Sequence, residues 1–250
     1  MVKPISLINR FLLLGFLLLL SCATPLPKSA QATFISIDDQ AEIHEPSERF
    51  VSPFRANLEA EMNKVIGTSS TELNKEGVGE TSLGNLITDL QKKHAEETFG
   101  YPVHISAMNN GGIRNILPAG DITLGHIYEL SPFDNYLFIL ELNAEKVRQL
   151  AEYAVTRKSL GLSGLYVESQ GGTLTSYSIN GEAAEEGRTY LLAVNDYMAS
   201  GGDNLAFLID APRKEETDIV LRDLLITQIK KKTKKGEKIE ASIEGRQKIN

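Results

Sequence analysis

Apolar residues recur along this chain with two different periods. Leu83, Leu86, Ile87 and Leu90 stand at helical spacing, the signature of one buried helix face, and Gly77 and Gly79 close the loop before them. Phe54, Leu58 and Met62 are four apart, which predicts a helix over 52–64. Ser52 would be its N-cap and Pro53 its first helical residue, where the missing N–H costs nothing. Val147, Leu150, Ala151 and Ala154 predict another helix, capped by Asn143, and Leu221, Leu224, Leu225 and Gln228 predict a last one over 219–232. Lysines at 230–232 and 234–235 suit the negative end of that helix dipole and read as a solvated helix end. Between these lie β-prone runs at 103–108, 136–142, 165–167, 173–179 and 190–194. Gly171-Gly172 and Asn180-Gly181 serve as turns, the second a strong hairpin signal. The expected fold class is α+β, a mixed β-sheet covered by helices. The strands at 103–108 and 190–194 each run into a polar, glycine-rich loop, the kind of segment that displays binding groups.

The first residues follow a separate logic. Lys3 and Arg10 precede an apolar run over 11–20 broken only by Gly15, and small residues follow at Ser21, Cys22 and Ala23. This is the layout of an export signal. Ten apolar residues span roughly 15 Å as a helix, about half a bilayer core, so the run is too short for a permanent membrane span. Leu19-Leu20-Ser21-Cys22 resembles the lipobox of bacterial lipoproteins, which implies acylation of Cys22 and a membrane anchor through that lipid. The residue after it is Ala23, not Asp, which among such lipoproteins favours the outer membrane. The expected organisation is a signal peptide over 1–21, a Pro/Ser-containing tether over 22–35 and one folded domain over 36–250. The expected location is the cell envelope, on the outer membrane or a periplasmic face.

Composition narrows the function. With 250 residues and 42% hydrophobic content, the chain can bury one sizeable core. Its net charge is −7, and loss of the signal with Lys3 and Arg10 makes it more acidic still. An acidic body excludes nucleic acid as the main partner, because a phosphate backbone calls for a basic footprint. Cys22 is the single cysteine, so neither an internal disulfide nor a cysteine metal cluster can form.

Three loop segments carry candidate chemistry. Asn109-Asn110-Gly111-Gly112-Ile113-Arg114 combines glycines that let the backbone approach a ligand with an arginine able to fork onto a phosphate, carboxylate or hydroxyl pair. Ser131-Pro132-Phe133-Asp134-Asn135 sets an aromatic in a proline loop. The stretch 195–203 holds Tyr197 and Asp203 across Gly201-Gly202. Taken singly, each reads as an ordinary turn. Together they offer two aromatics to clamp a planar ring, an acid for a ribose diol, an asparagine for ring nitrogens and an arginine for a charged group.

The same segments, with Val65-Ile66-Gly67-Thr68, the run Glu80-Thr81-Ser82-Leu83-Gly84-Asn85, Gly120-Asp121-Ile122-Thr123 and Ser163-Gly164-Leu165, resemble the C-terminal domain of the 5'-nucleotidase family from about residue 36 to the end. The resemblance implies that Phe133 and Tyr197 sandwich a nucleobase, with tyrosine where phenylalanine is frequent. It implies that Asp203 bonds the ribose hydroxyls, Asn109 the base, and Arg114 the region of ribose and phosphate. One departure stands out: where the family usually has arginine before the Glu80 motif, this chain has Lys75-Glu76-Gly77-Val78-Gly79. Full-length members add an N-terminal metallophosphatase domain with two metals. Here His44, His94, His104 and His126 are singly placed, so no cofactor is expected in this chain and divalent metals only on a separate metallophosphatase partner. The expected role is nucleotide or nucleoside recognition, with no catalytic residue of its own. The competing expectation is a surface interaction lipoprotein that kept the fold.

Overall fold

The computed structural model describes residues 32–35 and 42–250. The signal segment, Cys22 and most of the tether lie outside the described residues. Two compact units are distinguished, Met1–Glu48 and Arg49–Asn250, and the architecture below is that of the second.

Helix α1 spans Glu45–Met62, contains Pro53 and buries no residue. It therefore starts a full two turns before the predicted position, and Pro53 sits in its interior rather than at its first turn. With no core packed against the helix, water can satisfy the carbonyl whose intrahelical bond Pro53 removes.

A five-stranded sheet forms the centre, in the order β5-β2-β8-β4-β9. Its strands are β2 (Ile105–Asn109), β4 (Tyr136–Leu142), β5 (Leu160–Ser163), β8 (Tyr190–Asn195) and β9 (Arg213–Val220). β2 and β8 run parallel; the other pairings are antiparallel. Alternation along the strands buries both faces. Ala193, Leu137, Ile139 and Met108 face helices α2 (Ser82–Phe99) and α6 (Leu221–Lys234). Ile105, Ala107, Leu192 and Val194 face helix α4 (Ala144–Arg157), together with Leu165, Val167 and Ile179 from a smaller sheet. That sheet has the order β10-β6-β7, from β6 (Leu165–Gln170), β7 (Thr173–Ile179) and the short β10 (Gln247–Lys248). A third element, an antiparallel pair of β1 (Val65–Ser69) and β3 (Gly120–Thr123), leads into helix α3 (Leu124–Leu130).

The chain is thus α+β with mixed sheets and covering helices. Local chemistry explains the ends. Thr81 caps α2 by accepting the Gly84 N–H, Asn143 caps α4 by accepting that of Lys146, and Gly100 closes α2 in the left-handed region. Asn180 and Gly181 both have positive φ and close a two-residue turn between Ile179 and Glu182. The last helix begins at Leu221, later than predicted, because residues 213–220 pair with β4.

Candidate functional site

The sheet topology brings the three loops together. β2 and β8 are parallel neighbours, with Ser106 opposite Ala193, so both end at the same edge of the sheet. β4 is antiparallel to β8, and Leu137 near its start pairs with Asn195 at the end of β8. The loop entering β4 therefore lies beside the two loops leaving β2 and β8. From β2 the chain makes a 3₁₀ turn over Asn110–Gly112 and reaches Arg114. From β8 it enters the short helix α5 (Asp196–Ala199) and a second 3₁₀ turn over Gly202–Asn204.

Asn195 anchors the arrangement. Its side chain is fully buried; its Oδ1 accepts the Met198 N–H at 2.7 Å, capping α5, and its Nδ2 donates to Asn109 Oδ1 at 3.2 Å. Asn109 Nδ2 in turn donates to Asp203 Oδ2 at 2.6 Å. Tyr197 donates its hydroxyl hydrogen to Asp203 Oδ1 at 3.0 Å, and the Tyr197 hydroxyl oxygen accepts the Asp203 N–H at 3.2 Å. The Tyr153 hydroxyl donates to the Asp203 carbonyl at 2.8 Å. These bonds hold Asp203 in the left-handed region, φ 53°, which a non-glycine residue occupies at a cost. A carboxylate offers about four lone-pair sites, and two are taken, so capacity remains for a pair of hydroxyls. Asn109 spends one amide hydrogen on Asp203 and keeps the other.

Gly202 lets the Tyr197 ring lie against the backbone: a Cβ there would stand 2.5 Å from the ring. Phe133 lies below Arg114, whose guanidinium carbon is 5.9 Å from the ring centroid, within cation–π range. Arg114 Nη1 also donates to the Gly111 carbonyl at 3.2 Å. Asn109, Gly111, Gly112, Arg114, Phe133, Asn135, Tyr197 and Asp203 line one cavity of about 420 Å³, inside the roughly 300–1,000 Å³ range of small-molecule sites. Phe133 and Tyr197 are 46% and 45% exposed, so both rings keep apolar surface for a ligand to cover.

All five residues singled out in the sequence thus line one cavity, although they come from segments up to 94 positions apart. Sequence reasoning missed Tyr153, Arg157 and the bridging role of Asn195. The last had a usable signal, an asparagine ending a strand three residues before a helical N–H. Tyr153 had none, because it sits off the apolar stripe of α4. Burial pushes the Tyr153 phenol above its ordinary range, an effect the Arg157 guanidinium opposes and the Asp203 carboxylate reinforces, and this keeps its hydroxyl a donor.

The histidines serve locally. His126 completes the cap of α3 and His104 Nδ1 accepts the Leu191 N–H at 2.9 Å. His94 contacts Gln228, and His44 contacts Ser47. Among the described residues no group of three or more His, Cys, Asp or Glu is placed to hold a metal ion.

Residues 63–209 match the family model described as 5'-nucleotidase, C-terminal domain. The chain belongs to this family. Curated relatives agree. The trifunctional nucleotide phosphoesterase protein YfkN of Bacillus subtilis is 28% identical over 233 residues, covering 85% of this chain and 16% of that protein. The 5'-nucleotidase of Vibrio cholerae is 26% identical over 198 residues, covering 74% of this chain and 34% of that protein. Among solved structures, the 5'-nucleotidase precursor of Thermus thermophilus superposes with a TM-score of 0.69 at 26% identity, over 82% of this chain and 43% of that one. The chain therefore spans at most about a third of these curated relatives and under half of the superposed structure. The family likeness concerns the C-terminal domain, and the site described above lies inside the matched stretch.

Proposed function

We propose that this domain recognises a nucleoside or nucleotide and presents it for hydrolysis in nucleotide catabolism. The heterocycle sits between Phe133 and Tyr197, the ribose diol donates to the free lone pairs of Asp203, and the spare amide hydrogen of Asn109 addresses the base. The observation carrying this reading is that five side chains of the right chemistry, from three separated segments, line a single cavity of about 420 Å³. Stacking alone is worth roughly 1–3 kcal/mol per base, and Tyr197 is held by Asp203 before binding, so little ordering of that ring is needed. The metal-dependent step belongs to a metallophosphatase on a separate domain or chain; this chain contributes orientation.

Calorimetric titration of adenosine, AMP and a UDP-sugar tests the reading. Saturable binding is expected, weakened at least tenfold by Phe133→Ala and by Tyr197→Ala. Absence of saturable binding to all three would favour an interaction lipoprotein instead. Phosphate release by the purified chain with Mn²⁺ or Zn²⁺ would refute the division of labour. We further propose that the chain is exported and held to the envelope through lipid on Cys22. Mass measurement of the mature protein is expected to give an acylated Cys22 terminus; an unmodified terminus refutes it.

A further inference from the structure

Seven arginines lie between positions 114 and 246. Arg148, Arg188, Arg213, Arg222 and Arg246 are all paired with carboxylates. Among the described residues, Arg114 and Arg157 have no carboxylate partner, and each touches a residue that lines the candidate cavity. Arg114 lines it. Arg157 lies just behind Asp203, with Nη2 at 3.5 Å from the Asp203 carbonyl and its guanidinium carbon 5.9 Å from the Tyr153 ring centroid. In a chain of net charge −7, two arginines left without acids at one site are a departure from the pattern elsewhere.

The surroundings of Arg157 point the same way. It is the exposed last residue of α4. The turn that follows touches two other loops: the Lys158 carbonyl accepts the Gly79 N–H at 3.2 Å, and the Ser159 carbonyl accepts the Asn110 N–H at 2.9 Å. The stretch 77–79 is the glycine-bearing loop where the family resemblance leads one to expect arginine. The α4–β5 turn, which begins right after Arg157, therefore joins that arginine-free loop to the loop leaving β2. A carbonyl at 3.5 Å is a weak partner for a guanidinium with five donors, so Arg157 has hydrogen-bonding capacity to give to a ligand.

We propose that Arg157 is the anion-recognition residue of this site. Rotation about its side-chain bonds carries the guanidinium from the Asp203 carbonyl to the cavity mouth. There it and Arg114, from the Gly111 side, hold the phosphoryl group of a nucleotide. This rests on the nucleotide reading of the cavity and adds to it a second guanidinium, that of Arg157, on the phosphoryl group.

The test is titration of the purified full chain with AMP, adenosine and inorganic phosphate, comparing wild type with Arg157→Gln and Arg157→Lys at two KCl concentrations. Wild type is expected to bind AMP at least tenfold more tightly than adenosine, with AMP affinity falling as KCl rises. Arg157→Gln is expected to remove most of that preference and flatten the salt dependence, leaving adenosine within twofold. Arg157→Lys is expected to restore the salt dependence in part. Weak binding of phosphate alone is expected, because one anion lacks the stacking contribution. Equal loss of AMP and adenosine in Arg157→Gln would overturn the proposal and make Arg157 a support for the Asp203 loop, as would no loss of AMP. Failure of wild type to bind either nucleoside or nucleotide would overturn the underlying reading, and this proposal with it. Thermal unfolding of both variants checks that the exposed substitution leaves the fold intact.

Discussion

Gly202→Ala isolates the position of one ring. The added methyl would stand 2.5–2.6 Å from Cε1, Cζ and Cδ1 of Tyr197, against an ordinary carbon contact of about 3.5 Å. The ring must retreat by about 1 Å, which also draws its hydroxyl away from Asp203 Oδ1. Gly202 does not have a positive φ, so alanine introduces no backbone strain, and Tyr197 is 45% exposed, so the ring can swing into solvent. The folding cost should therefore fall below the roughly 1–3 kcal/mol of an overpacked core. Binding should suffer more. Losing one stacking face removes about 1–3 kcal/mol, which weakens affinity by about fivefold to more than a hundredfold. Calorimetric titration with adenosine, alongside thermal unfolding, reads both effects. The reasoning fails if Gly202→Ala binds within twofold of wild type.

Three other outcomes follow from the same structure. Tyr197→Phe keeps the ring but removes the donor to Asp203 and the acceptor for its N–H; adenosine affinity should fall about three- to tenfold, the worth of a partly exposed hydrogen bond, and an unchanged Kd would show that the hydroxyl does not position the acid. Arg246 is 5% exposed, pairs with Asp89 and Glu244, and donates to the Leu162 carbonyl; since both acids keep contact with water, Arg246→Ala should cost about 2 kcal/mol rather than the ~3–5 kcal/mol of a fully buried pair, read as a lowered urea midpoint. Burial and nearby cations hold His94 and His104 below the usual histidine range. The unfolded chain therefore binds protons more readily, and the stability these rings contribute is full above pH ~6.5 and lost as pH falls from there through their depressed values. His104→Asn keeps an acceptor for the Leu191 N–H and should flatten the decline in guanidinium midpoint between pH 7.5 and 5.5; a midpoint that rises on acidification would contradict the sign.

The elements legible in the sequence are those with a buried stripe and a chemical stop. β4 matched residue for residue, and the Asn143 cap, the α4 face and the Asn180-Gly181 turn all stand where periodicity and turn chemistry put them. β9 was not legible. Its sequence RKEETDIV pairs on one side only, at the edge of the sheet, and has no fully buried residue, so no hydrophobic alternation marks it. β5 was hidden by its shortness and by Gly161, which is glycine because a Cβ there would stand 3.0 Å from the Gly84 backbone across the helix–sheet contact. α1 misled in the other direction: its four-residue apolar spacing reads as a core face, yet Phe54 and Leu58 are exposed. For the site, residue types were legible, because each had a chemical reason to stand in a glycine-rich loop. Their hydrogen-bonded linkage was not, since it depends on which strands are neighbours.

That linkage says why the cavity can be specific without a rigid lid. A chain of bonds runs from buried Asn195 through Asn109 to Asp203 and on to the Tyr197 hydroxyl. Its first two members stand at the ends of adjacent parallel strands, the most constrained part of the loops. The acid and one ring are thereby fixed relative to the sheet before any ligand arrives, and their ordering entropy is spent in folding rather than in binding. Phe133 has no such bond; it stands in the loop entering β4, beneath Arg114. The site therefore has one fixed wall, Tyr197 with Asp203, and one wall free to adjust. Such a division would let planar rings of different width enter the cavity while the acid keeps its place beside the fixed ring.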